Sequence, residues 1–353
     1  MGFERFLDSR AEWVSGQGDR ADVVISSRVR LARNFDGIRF GEKATPEMRE
    51  AVLGHGRRIL EESDYFRGAD LFCFRDLTPL QHRVFVERHM VSPAYAEQPE
   101  HVGMLVGRSN IVSAVLNEED HLRLQAIRGG FTPRETWDVI RQIDDDLERF
   151  LPYSFSERWG YLTACATNTG TGMRASVLIH LPGLVLTREI GKVLNGVAQV
   201  NLVVRGFYGE GTEVMGNLFQ ISNQKTLGIS EERLIEQLER VTLQVLEYEM
   251  KAREAMTSGT NRLSLSDKIW RGIGELKSAR LLTSKEVINL ASIVRLGISL
   301  EIVDGLDLKT LNEIVLLSQP AHLQIGAEQD LKPEERDELR ASLVRSKLAH
   351  FDI

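Results

Sequence analysis

A chain of 353 residues, 42% apolar and 27% charged, is ordinary for a soluble globular protein and long enough to bury a substantial core, with room for two domains. Its formal charge of −7 argues against broad nucleic-acid binding, and only two cysteines, Cys73 and Cys165, argue against a disulfide framework and fit a reducing compartment. No apolar run approaches the ~20 residues that span a bilayer, and Met1 to Trp13 lacks a signal-peptide core, so the sequence reads as cytoplasmic with no membrane contact.

Strand and helix signals alternate along the chain. Val23-Val24-Ile25 reads as a short strand leading into Ser26-Ser27-Arg28-Val29-Arg30. From Thr45 to Glu62 the apolar positions have helical spacing. Val102 to Val106 and Ile111 to Leu116 read as two strands joined by the turn-rich Gly107-Arg108-Ser109-Asn110. Thr132-Pro133-Arg134-Glu135 predicts a helix start with a capping box and proline at the first helical position, the helix stopping before Pro152. Strands are predicted over Ala175 to His180 and Val197 to Val204, with a helix after Thr187 between them. A long helix follows from about Ser230 to Met256. Thr257-Ser258-Gly259-Thr260 is small and polar, and beyond it only helices are predicted, one opening on the capping box Thr283-Ser284-Lys285-Glu286. Others fit Asp307 to Ser318 and Pro333 to about His350. The fold class is α+β: a large antiparallel sheet flanked by helices over 1–257, then a small all-helical domain over 258–353.

Three segments carry the chemistry. Asn117-Glu118-Glu119-Asp120-His121-Leu122-Arg123 and Arg205-Gly206-Phe207-Tyr208-Gly209-Glu210-Gly211-Thr212-Glu213 each follow a strand-like run and join carboxylates to an arginine. Between them lies the glycine-rich stretch Cys165 to Ser176, which carries Arg174. Arginine forks suit polyphosphate, and carboxylates can hold a cationic substrate and take its proton. The set suggests phosphoryl transfer from a nucleotide to a basic group. The phosphate-cradling glycine loop that ends in Gly-Lys-Ser/Thr, the dinucleotide fingerprint and the His-Arg-Asp/Asp-Phe-Gly kinase pair are absent, so side chains must hold the phosphates.

In this order, the three segments and Ser26–Arg30 resemble the catalytic segments of the guanidino kinases over roughly residues 20 to 255. The resemblance implies ATP with Mg2+ as phosphoryl donor, and Arg28, Arg30, Arg123, Arg174 and Arg205 as phosphate ligands. The matching nucleotide-binding segments comprise Ser26, Ser27 and Val29, then Ala175, Ser176 and Val177, then Gly206, Phe207, Tyr208 and Gly209. His89 lies near the family's adenine contact, although a lone histidine is often only packed. Glu119 and Glu210 match the two catalytic glutamates, with Glu118, Asp120 and Glu213 supporting. Cys165 matches a cysteine set against the guanidinium, its alternative being a small buried residue at a strand end. No metal site built from protein ligands is implied.

Departures from the small-molecule members point further. Only 25 residues precede Ser26, where those kinases carry a helical domain that closes over the metabolite. Gly211 and Ala166 replace a bulkier histidine and proline near the substrate end. With its helical C-terminus, the chain resembles the bacterial protein-arginine kinases of the McsB type. Arg336-Asp337-Glu338-Leu339-Arg340-Ala341, by spacing a helix charge ladder, matches their Arg-Asp-x-x-Arg-Ala motif; Arg336, Asp337, Arg340 and Ala341 are then an allosteric phosphoarginine site. The resemblance also implies marking of proteins for a Clp protease, inactivation of a heat-shock repressor, a small zinc-binding activator, and a homodimer or larger assembly. Two other readings stay open: a kinase for free arginine or another small guanidino compound, disfavoured by the missing N-terminal domain, and an idle phosphoarginine-binding adaptor, disfavoured by the intact glutamates and arginines.

Overall fold

The computed structural model describes residues 2–97, 99–107, 110–206, 214–258, 261–327 and 330–351. Ten strands are present among them: β1 (Val24–Arg33), β2 (Asp70–Cys73), β3 (Gly103–Val106), β4 (Val112–Leu116), β5 (Leu122–Gly129), β6 (Phe155–Ser156), β7 (Gly160–Tyr161), β8 (Met173–His180), β9 (Leu202–Gly206) and β10 (Leu218–Asn223). Eight form one antiparallel sheet in the order β2-β3-β4-β5-β1-β8-β10-β9, and β6 pairs with β7 apart from it. Helices α1 (Phe3–Asp8), α2 (Pro46–Glu62), α3 (Pro79–Glu87), α4 (Pro93–Ala96), α5 (Pro133–Glu148), α6 (Pro182–Leu186), α7 (Ile190–Gln199) and α8 (Glu231–Thr257) accompany the sheet. The rest is helical: α9 (Asn261–Ser278), α10 (Ser284–Ser299), α11 (Leu308–Leu317), α12 (Pro320–Ala327) and α13 (Pro333–Lys347). Among the described residues no helix is long and apolar enough to cross a membrane.

The central strands divide their side chains by alternation, since successive residues point to opposite faces. On β1, Val29 and Leu31 fall on one side, and on β8 Met173, Ala175, Val177 and Ile179 join them; all are fully buried. This apolar face carries the main core and is covered by α5 and α8. Helix α5 presents Trp137, Ile140, Ile143 and Leu147 at helical spacing, each buried side chain contributing about 1.5–3 kcal/mol. The opposite face holds Arg28, Arg30, Arg123, Arg174 and Arg205. The sheet is thus apolar on one side and cationic on the other.

A second core lies among α9, α10, α11 and α13, with Ile269, Val294, Ile314 and Val344 at its centre. Buried polar pairs tie it to the sheet region. Arg253 on α8 donates to Glu249 at 2.7 Å and to Ser299 Oγ on α10 at 2.5 Å. Glu249 in turn accepts the Gly183 and Leu184 amides that open α6, both at 2.9 Å.

Some local expectations need correction. The Ser26–Arg30 segment is itself strand, within the ten-residue β1. Val197 to Gln199 belongs to α7, and β9 starts only at Leu202. The apolar run straddles a helix end, where Asn201 takes a left-handed turn (φ 57°), and hydrophobicity alone cannot place that break. Thr132 makes no side-chain cap; Ser27 Oγ accepts its amide instead, so the proline start holds but the capping box does not. Strands β2, β5, β6, β7 and β10 are not among the expected elements, although β5 pairs with β1 at the centre of the sheet. The Thr283 capping box is formed, with Glu286 accepting the Thr283 amide.

Candidate active site

Strand register gathers the arginines. Arg30 on β1 lies opposite Arg174 on β8, Ala32 opposite Arg123 on β5, and Gln220 on β10 opposite Arg205 on β9. Arg28, two residues from Arg30, shares its face and donates to Gln220 Oε1 at 2.8 Å. Burial, then the charges of Arg123 and Arg174, pull the Arg28 guanidinium down to about 10. Burial, then Arg28, Arg123 and Arg174, hold Arg30 well below the usual range, with Glu118 opposing. Arg123 Nε is buried with no hydrogen-bond partner among the described residues. Like charges held this close, with Glu118 set against Arg123 among them, can take a polyanion.

A cavity of about 400 Å³ lies over this face, bounded by Ser26, Arg28, His89, Ser176, Gly206 and Gln220, among others. Burial, then Arg28, brings His89 down to about 4, so its imidazole is neutral at pH 7. Ser27, Val29, Ala175 and Val177 belong to the opposite face; Val29, Ala175 and Val177 are fully buried in the apolar core, and Ser27 Oγ donates to Gly130 O at 2.9 Å. Along β1 and β8 the alternate residues of the proposed nucleotide segments therefore reach the cavity, and on β9 both Arg205 and Gly206 border it.

A second cavity, about 420 Å³, shares Arg30, Arg123 and Arg205 with the first and adds Glu119, Cys165 and Arg174. Glu118, Glu119 and Asp120 occupy the tip between β4 and β5, where Asn117 turns through a left-handed φ of 57° and donates to Arg49 O and His101 O. Glu118 is buried, ion-pairs with Arg123 and accepts the Ser92 amide at 3.0 Å. Asp120 is buried and accepts from Asn34 Nδ2 at 2.7 Å and the Ala164 amide at 2.6 Å. Burial raises its pKa. His121 Nδ1 accepts the Phe35 amide at 3.0 Å, and Nε2 meets Arg39 O. Glu119 alone of the three is exposed, and its carboxylate has no partner among the described residues. Its neighbours hold the loop and leave the Glu119 carboxylate open to the cavity. Half-buried Cys165 lies 3.0 Å from Thr167 Oγ1 in a loop fastened by Asp120 and by Thr226 Oγ1, which donates to Thr167 O and Thr169 O. A third cavity, about 850 Å³, shares Glu118 and Glu119 with the second and widens toward Arg39, Lys43 and Tyr95.

Two family matches divide the chain: ATP:guanido phosphotransferase, C-terminal catalytic domain, over residues 56–252, and Protein-arginine kinase McsB C-terminal domain over residues 262–352. The chain belongs to the protein-arginine kinases. It is 43% identical over 350 residues to the protein-arginine kinase of Halalkalibacterium halodurans, covering 99% of this chain and 98% of that protein. To that of Bacillus subtilis it is also 43% identical, over 352 residues, covering 99% and 96%. A lombricine kinase structure is similar in fold, with TM-score 0.59 and 24% identity over 69% of this chain and 70% of that one. So is the duplicated taurocyamine kinase of Schistosoma mansoni with bound transition-state-analogue components, with TM-score 0.59 and 21% identity over 77% and 39%. Membership of this protein-arginine kinase family makes the chain a phosphotransferase that uses ATP.

Phe207, Tyr208, Gly209, Glu210 and Glu213 lie outside the described residues. In the helical region Arg340 is buried: its Nε donates to Ser318 O and its Nη1 to Leu282 O, both at 2.7 Å, and Nη1 also meets Asp337 at 2.5 Å. Ala341 is fully buried in the second core, and Arg336 is half-buried. Gln220 and Glu87 went unread in the sequence. Gln220 could have been found only by placing it on a strand beside Arg28; Glu87 directly precedes the Arg88-His89 pair.

Proposed function

We propose that this protein-arginine kinase family member transfers the γ-phosphoryl group of ATP to arginine side chains of proteins. The observation carrying this reading is the continuity of the three cavities. An arginine-lined space opens past an exposed, unpartnered Glu119 into an outer cavity of about 850 Å³, and that room beyond Glu119 suits an arginine carried on a larger molecule.

The chain's residues would act as follows. Arg28, Arg30, Arg123, Arg174 and Arg205 hold the phosphates and stabilise the charge that moves onto ADP. The target guanidinium carries a pKa above ~12 and is a poor nucleophile while protonated. Glu119 grips it and accepts one proton as its nitrogen bonds to the γ-phosphorus and the bond from that phosphorus to the bridging oxygen of ADP breaks. Glu210 is the second carboxylate of this step by family position, and Cys165 borders the same cavity, where it can orient the cation. ATP would be taken up as its Mg2+ complex, the ion supplying charge neutralisation, with no metal site built from protein ligands implied.

The test is incubation with labelled ATP and a generic protein, then residue-level mass spectrometry. Label on arginine nitrogen, lost in acid and kept in mild base, is expected. Acid-stable label on serine or threonine, or transfer to free arginine alone, would overturn the proposal. The family resemblance extends the proposal to a cytoplasmic setting, self-association, a small zinc-binding activator, a heat-shock repressor and a Clp protease. It also extends to phosphoarginine sensing by Arg336, Asp337 and Arg340, checked by the response of kinase activity to free phosphoarginine in Arg336→Ala.

A further inference from the structure

We infer that the mouth of the active site selects target arginines that have an acidic residue beside them in the substrate chain. This rests on the proposed protein-arginine substrate. The wall of the outer cavity is built by the segment from Ile38 to Lys43, which ends in a 3-10 turn over Gly41–Lys43. Gly41 sets that turn against the reacting loop: a Cβ there would lie 3.5 Å from Glu119 O and 3.5 Å from Ala164 Cβ. Phe40 packs edge-on against His121, 5.6 Å between ring centres, and Arg49 on α2 donates to Gly41 O at 3.0 Å. The turn is thereby fixed next to Glu119, and the side chains it carries border the place where the substrate backbone must pass.

Those side chains give the mouth a sign. Arg39, Lys43 and Arg49 border it with Glu42, Glu118 and Glu119. Glu118 is already matched by Arg123, and the incoming guanidinium matches Glu119. Three cations then face the single remaining carboxylate of Glu42. Arg39 and Lys43 are exposed, and among the described residues neither side chain forms an ion pair or hydrogen bond. A net positive rim around a site for a cation is unfavourable to that cation alone, and stands out on a chain whose net charge is −7. It becomes favourable when the substrate brings an aspartate or glutamate next to its arginine. The same rim disfavours a second arginine or lysine at that place, which supplies discrimination by repulsion as well as attraction.

The experiment uses the full chain and three peptides that each hold one arginine and differ in one neighbouring residue, Asp, Asn or Lys. Phosphoryl transfer is read as kcat/KM at low and at moderate salt, for wild type and for Arg39→Glu/Lys43→Glu. Wild type is expected to rank Asp over Asn over Lys, by about two- to fivefold per cation engaged, chiefly through KM and less at higher salt. The double variant should reverse the order while still phosphorylating the Asn peptide, which shows that it is folded. Equal rates for the three peptides, or an unchanged ranking in the variant, would overturn the inference and leave the substrate reading standing. Loss of transfer to the Asn peptide in the variant would place Arg39 or Lys43 in the transfer step itself and also overturn it. Transfer to none of the peptides by wild type would refute the substrate reading and this inference together.

Discussion

Replacing Arg28 with methionine separates the two roles that a buried arginine cluster combines. The Arg28 guanidinium is held at about 10 by burial and by Arg123 and Arg174. That lies at least two units below an ordinary guanidinium, and each unit corresponds to ~1.4 kcal/mol, so the charge costs about 3 kcal/mol at neutral pH. Arg28 remains partly accessible, and water screens some of this cost. The Gln220 hydrogen bond returns about 1 kcal/mol more. Arg28→Met should therefore stabilise the empty protein by about 1–2 kcal/mol, or roughly 1–4 °C in Tm for a chain of this length. Saturating ATP stabilises wild type by about 2.7 kcal/mol at one hundred times Kd. Loss of one charge-assisted phosphate contact, ~1.5–3 kcal/mol, should remove most of that gain at the same ATP concentration. Thermal unfolding of both proteins with and without Mg-ATP measures all four quantities. A lower Tm for empty Arg28→Met with an undiminished ATP shift would refute the assignment of this face to phosphate.

Three further outcomes are expected. Glu119→Gln should cut turnover by at least ~100-fold while changing ATP affinity only a few-fold, measured by steady-state kinetics and calorimetry; near-normal turnover would remove Glu119 from the proton step. His180 is fully buried, its Nε2 is 2.8 Å from Ser292 Oγ, and burial followed by Arg253 and Arg295 holds it well below the usual range, so it stays neutral when folded. The unfolded chain takes up this proton near pH ~6.5 and the folded chain does not, so His180 should make stability fall as pH drops below that value, and urea midpoints should fall less steeply in His180→Gln. Arg340→Ala leaves the Ser318 and Leu282 carbonyls without their donor and should destabilise the helical region by about 2–4 kcal/mol; unchanged unfolding of that region would show that Arg340 is held for ligand binding alone.

The cationic face was legible because β1 and β8 spell it with period two: Arg28 and Arg30, then Arg174 and Ser176, alternate with Val29, Ala175 and Val177. The motifs mark whole segments as nucleotide contacts, whereas on β1 and β8 the pleat sends every second residue into the core. The three adjacent carboxylates could be ordered only in part. Nothing in Glu118-Glu119-Asp120 announces that its outer members are buried clamps, because their partners Arg123, Asn34 and Ala164 are brought in by the fold. Gln220 meets Arg28 from 192 positions away, a separation no local pattern encodes. Thr132 has the spelling of a cap, yet Ser27 was better placed to take its amide.

Helix α3 ends in two residues that grip opposite ends of the chain. Glu87 accepts the Ala321 amide at 2.7 Å, the His322 amide at 3.1 Å and His322 Nδ1 at 2.6 Å, at the start of α12. Arg88 donates to the Phe6, Leu7 and Ser9 carbonyls at the end of α1, and through Nε to His322 Nε2 at 3.3 Å. With both imidazole nitrogens engaged, His322 carries its proton on Nδ1 and works as a rivet through three layers of structure. Glu87 also borders the nucleotide cavity, as does Gln319 just ahead of α12. The wall of the proposed nucleotide cavity is therefore the same body that pins the N-terminal helix and the helical region. Because one pair of adjacent residues holds both ends, Arg88→Ala should loosen both together, and a protease should find new cuts near α1 and near α12 in the same variant.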